Sequence, residues 1–153
     1  MYFNQARINT YLLIYVSTAT KQLSDDELTA LLEQSRASNR AKNITGLLLY
    51  NEGTFMQFLE GAREDVLSLM EKIRSDPRHH GLIVVVREEH NTREFKDWAM
   101  AYQKIGSVTS MEVPGYSDYI NLPLTSEKFL IDPTKTLELL LAFKKYLSAA
   151  AAS

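Results

Sequence analysis

The sequence predicts an α+β fold: one sheet with the element order β-α-β-β-α-β-β, two helices on one face, and a further helix at the C-terminus. Three observations carry this. Apolar, β-branched runs alternate with amphipathic runs of helical period. A tight-turn signal, Asn51-Glu52-Gly53, divides the middle of the chain into a hairpin. Ser24-Asp25-Asp26-Glu27 and Asp76-Pro77 mark one helix start and one helix stop.

Taken in order, Thr10 to Ser17 is apolar and aromatic, as a buried strand requires. After the capping box at Ser24, Leu28, Leu31, Leu32 and Ser35 recur at helical spacing. Asn39 to Asn43 is a polar break. Ile44 to Tyr50 is the second strand, and Thr54 to Glu60 alternates as the third. Glu64 to Ser75 is the second helix, with Val66, Leu69, Met70 and Ile73 on one side. Leu82 to Val86 is apolar throughout, which places it as a central strand. Asn91 to Asp97 is a charged loop, Trp98 to Tyr102 a short fifth strand, and Gly106 to Thr125 irregular. Pro133 opens the last helix, whose apolar side carries Leu137, Leu140 and Leu141 beside Lys144. The first six elements make a ferredoxin-like split βαβ sheet, so the first and third strands are neighbours. The C-terminal helix is expected on the sheet face that the first two helices leave open.

Composition removes several classes of function. The 153 residues suit one domain, and with a net charge of −2 there is no basic surplus for nucleic acid. No cysteine is present, which excludes thiolate metal sites, disulfides and cysteine nucleophiles. No run reaches the ~18 apolar residues of a membrane span. The polar N-terminus lacks a secretory pattern, so a cytoplasmic address is expected.

His79 and His80 are adjacent and point apart on any regular element, a poor chelating pair, so no metal site is expected. His90 reads as a solvated loop residue. Glu60 and Glu64 read as a strand-end and a helix-start carboxylate rather than an acid–base pair. Tyr15 and Gln57 stand out as polar residues inside apolar strands. A buried amide without partners costs ~1–3 kcal/mol, so each must be satisfied. Neighbouring strands put them side by side, either as a closed core pair or as a polar pair facing a planar ligand between the helices.

Leu13-Ile14-Tyr15, Ser38-Asn39 followed by Asn43 to Leu48, Phe55 to Gly61, Asp76 to His80 and Phe95 to Met100 together resemble the BLUF family, the sensors of blue light using FAD. The likeness is colinear from Tyr11 to Tyr102. It implies a noncovalently bound FAD. It implies that Tyr15 gives an electron and then a proton to the excited flavin, and that Gln57 bridges the phenol and the ring. It further implies that Asn39 pairs with the pyrimidine edge, a role compatible with capping a helix end. Arg78 and His79 would lie by the ribityl chain and phosphates, and Ile44, Phe55 and Leu31 against the ring. Trp98 and Met100 correspond to the pair that passes the signal outward, and as alternate strand residues they would share one face. Ser38 departs from the histidine or asparagine of some relatives.

The expected division is an N-terminal extension over 1–10, the flavin-binding domain over 11–105, and a C-terminal helical extension over 106–153. No fused catalytic domain fits after Gly106. The expected protein is therefore a non-enzymatic photoreceptor whose output goes to an unidentified downstream protein or a homo-oligomer, without nucleic acid or membrane. The rival is a ferredoxin-like small-ligand-binding or hydrolase domain without flavin.

Overall fold

In the computed structural model, residues 10–96, 98–105 and 123–152 are described. The N-terminal extension before Thr10 and most of the expected irregular segment lie outside them.

Five strands form one sheet in the order β4-β1-β3-β2-β5: β1 Thr10–Ala19, β2 Thr45–Asn51, β3 Thr54–Gly61, β4 His79–His90 and β5 Ala101–Lys104. Helices α1 (Asp25–Ala41) and α2 (Arg63–Arg74) precede the β2–β3 hairpin and β4 respectively. A short α3 (Glu127–Leu130) leads into α4 (Pro133–Ala152).

The local signals act as chemistry dictates. Ser24 Oγ accepts from Glu27 N at 3.1 Å while Ser24 N donates to Glu27 Oε1 at 3.0 Å, closing the capping box. Glu52 and Gly53 take φ of 45° and 84°, the left-handed pair a two-residue hairpin turn needs. The polar break after α1 begins later than Asn39. The helix runs to Ala41, and Lys42 N and Ile44 N donate to Asn39 O at 3.1 and 2.9 Å.

Alternation along the strands builds two apolar layers. Tyr11, Leu13, Tyr15, Leu48, Phe55 and Leu59 face α1 and α2. Leu12, Ile14, Val16, Leu47, Leu49, Met56 and Phe58 face the opposite side, covered by Phe129, Leu139, Leu140 and Phe143. The C-terminal helix therefore covers the open sheet face, as expected. Its buried stripe is Thr136, Leu139, Leu140 and Phe143. Leu137 and Leu141 are only half-buried beside it, because Phe143 rather than Lys144 faces the sheet.

Three strand expectations are corrected. β4 is an edge strand, not a central one, and Ile83 on it is 46% exposed. Its apolar run reflects cover on both faces: Leu82 and Val84 pack on the α1/α2 layer, Val85 and Val86 on the α4 layer. β4 also extends through His90, which pairs with Glu88 Oε1 at 2.6 Å instead of lying in a loop. β5 starts at Ala101, so Trp98 and Met100 precede it. Side chains of α1 claim that approach: Asn39 Nδ2 donates to Ala99 O at 2.7 Å and Arg36 Nε to Met100 O at 2.8 Å.

Candidate functional site

A cavity of about 230 Å³ opens between α1 and α2 above the middle of the sheet. Its floor comes from β1, β2 and β3, where Tyr15, Leu48, Phe55 and Gln57 point to the helix side. Tyr15 and Gln57 are direct register partners across β1 and β3, and Gln57 pairs with Leu48 on its other side. The Tyr15 hydroxyl donates to Gln57 Oε1. Gln57 Nε2 donates to Met100 Sδ at 3.3 Å, a weak acceptor for an amide in a buried site.

Burial first, and the Asp76 carboxylate second, push the Tyr15 phenol above its usual range, so it is held neutral. Asp76 itself is held below the usual carboxylate range, chiefly by the Arg78 guanidinium. Arg78 Nε lies 3.0 Å from both Asp76 oxygens, so its fork is already engaged. His79 Nε2 bonds Ile73 O at the end of α2, and its ring lies 6.3 Å from that of Tyr15.

Of the expected site residues, Tyr15, Leu31, Asn39, Phe55, Gln57, Arg78 and His79 all border the cavity. Ile44 does not. It is 1% exposed in the core beside the cavity, against the Gly61 backbone. Met100 reaches Gln57 from outside the lining. Trp98 packs on the other side of the sheet, its ring 5.7 Å from Phe95. Trp98 and Met100 thus lie on opposite sides and not on one face, because strand alternation does not govern residues ahead of β5. Sequence reasoning missed Gln34 and Lys72 on the walls. Their signal was present: Leu31, Gln34 and Ser38 continue the α1 stripe at helical spacing, as do Leu69, Lys72 and Asp76 across the end of α2.

The lining fits an isoalloxazine ring. Leu23, Leu31, Leu69, Ile73 and Phe55 supply apolar contact for a flat ring. At the base the polar groups are amides, matched to a heterocycle edge carrying both donors and acceptors. Among the described residues the Gln57 N–H has only a thioether partner. Asn39 is 2% exposed and uses its Nδ2 on Ala99, while its oxygen accepts nothing among the described residues.

Comparison with known proteins decides the family. The family described as sensors of blue-light using FAD (BLUF) matches residues 10–101. The chain belongs to the BLUF family. It is a blue-light sensor domain of the kind that uses FAD, and the flavin-free ligand-binding or hydrolase reading is set aside. The photoactivated adenylate cyclase subunit beta of Euglena longa is 41% identical over 73 residues, which are 48% of this chain and 8% of that protein. The alpha subunit from Euglena gracilis is 42% identical over 73 residues, 7% of its length. This BLUF chain thus spans under a tenth of those cyclase subunits. Among solved structures, the dark state of the BLUF protein BlrB aligns with a TM-score of 0.69 at 26% identity, covering 84% of this chain and 95% of that one. A bacterial light-regulated adenylyl cyclase aligns at 0.68 and 29% identity, covering 84% of this chain and 36% of that one. Among the described residues no helix is long and apolar enough to cross a membrane.

Proposed function

We propose that this BLUF domain senses blue light through the Tyr15–Gln57 pair and carries no catalytic activity of its own. The observation that supports this most is the buried hydrogen bond from the Tyr15 hydroxyl to Gln57 Oε1 at the base of the cavity. The flavin, when bound, supplies the blue absorption and an electron-accepting ring with hydrogen-bonding edges. Tyr15 is the oxidisable donor, and its proton rests against Gln57 Oε1. Rotating the amide, or a tautomerisation that gains a proton at Oε1 and gives one up at Nε2, reverses which end of Gln57 donates and which accepts. Asn39 orients the ring's pyrimidine edge through its amide oxygen. Leu31 and Phe55 hold the ring and exclude water. Among the described lining residues Lys72 and Arg78 are the lysine and arginine, and they meet the phosphates, Arg78 sharing its fork with Asp76.

Residues 11–105 form the sensory unit and 106–153 a C-terminal extension, whose described part carries α3 and α4. Output passes to a separate protein or to a homo-oligomer in the cytoplasm, through the segment around Trp98 and Met100. The test is spectroscopic. The purified protein should be yellow and contain FAD, and blue light should shift its absorption slightly to the red, reversibly in the dark. A Gln57→Leu variant that binds FAD and still shows the shift would sink the assignment.

A further inference from the structure

On the sheet face away from the flavin cavity, two motif segments meet the loop that leads to Met100. Glu60, next to the last residue of β3, is in step with Met56 and Phe58 and is 1% exposed. A carboxylate buried so deeply needs donors for both oxygens. Glu60 Oε1 accepts from Phe95 N and from Thr45 Oγ1, the latter at 3.1 Å, and Oε2 accepts from Glu94 N at 2.9 Å. Thr45 is the direct β2 partner of Glu60, and its hydroxyl also accepts from Arg93 Nη1 at 3.1 Å. Three consecutive residues, Arg93 to Phe95, are thereby tied to one carboxylate–hydroxyl pair.

The next links run without slack. Trp98 N donates to Phe95 O at 3.1 Å, and Gly46 N donates to Trp98 O at 2.9 Å. Gly46 admits no side chain, since a Cβ there would sit 1.9 Å from Phe58 O, and this keeps its backbone close to both neighbours. Ala99 O and Met100 O are then held by Asn39 and Arg36, and Met100 Sδ meets the Gln57 amide.

We propose that Glu60 is a positioning residue for the photocycle: its carboxylate clamps the Arg93–Phe95 turn and thereby sets how Met100 sits against Gln57. This rests on Gln57 being the photoactive amide. Glutamine at position 60 keeps the size but offers one acceptor oxygen instead of two, so a backbone N–H of Glu94 or Phe95 loses its partner. The turn loosens, Met100 confines the Gln57 amide less, and the amide returns to its dark arrangement faster.

The experiment measures dark recovery of the red-shifted absorption in the full chain with FAD. Glu60→Gln should retain FAD and the shift and recover about three- to tenfold faster, the factor expected from one buried hydrogen bond. In a Met100→Ala background the same substitution should change recovery less than about twofold, as coupling through Met100 requires. Glu94→Gln, which keeps the backbone N–H, should recover as wild type. If Glu60→Gln does not fold, Thr45→Val takes its place and should also recover faster. A wild-type or slower rate overturns the proposal, and so does undiminished acceleration without Met100 or equal acceleration in Glu94→Gln. Gln57→Leu separates the two readings: a surviving light shift there removes the photoactive role itself, whereas its loss beside a neutral Glu60→Gln removes only the clamp.

Discussion

Met56 and Phe58 on β3 point into a closed layer with Phe129, Leu140 and Phe143, while Phe55 and Gln57, one residue out of step, border a cavity. Both faces come from the same strands. The α4 side is filled by side chains, with Phe58 and Phe95 edge to face at 4.7 Å. The α1/α2 side stops short of filling, and its polar lining includes a phenol and three amides. Both faces carry a buried apolar layer, and the cavity with its polar groups lies on the second. Strand alternation keeps most substitutions on one face from moving the side chains of the other; the turn held by Glu60, which leads to Met100 and Gln57, is where the two connect.

The sharpest break in this comparison is Tyr15→Phe. It should bind FAD, lose the light-driven shift entirely and melt within a few degrees of wild type. A normal photocycle in that variant removes the donor role of the phenol. On the opposite face, Phe143→Ala should destabilise the fold by ~3–5 kcal/mol, because a large aromatic leaves a cavity. The fraction that stays folded should still show the red shift, and loss of the shift with full stability would show that the faces are not separable.

Asn39→Ala has an intermediate effect. It should weaken FAD binding about tenfold, one to two hydrogen bonds' worth. Equilibrium dialysis giving unchanged affinity would take Asn39 out of the site. The smallest effect is with pH. Because the folded Tyr15 phenol titrates above its ordinary value, its neutral burial stabilises the fold fully below pH 10.0, and this fades only as the pH rises past that value. The amplitude of the light shift should therefore be flat from about pH 6 to about pH 10. A titration of the shift near pH 8 would show that the phenol is not shielded.

Much of the site was legible before the structure. A tyrosine and a glutamine inside apolar strands, on neighbours in a split βαβ sheet, already implied a polar pair, and register places them directly opposite each other. Asn39, Leu31, Phe55, Arg78 and His79 came through the family resemblance and do border one cavity. Other features escaped for a physical reason. Arg78 was expected beside the phosphates, and no local pattern showed that Asp76, two residues earlier, also engages its fork. Glu60 looked like an ordinary strand-end carboxylate, because its donors lie on a loop 34 and 35 residues further along.

By itself the sequence determined the elements and their layers: the capping box at Ser24, the left-handed turn at Glu52-Gly53, the alternation of β3 and the amphipathic tail. These depend on neighbours within a few residues, so local pattern suffices. Only the tertiary structure decided that β4 is an edge, that α1 reaches past Asn39, and that Trp98 and Met100 part to opposite sides of the sheet. An apolar run reports how many faces are covered but not how many strands flank it. Phe95, Ala99 and Met100 are each placed by a side-chain bond to backbone, from Glu60, Asn39 and Arg36. Such bonds join residues far apart in sequence, and no periodicity records them.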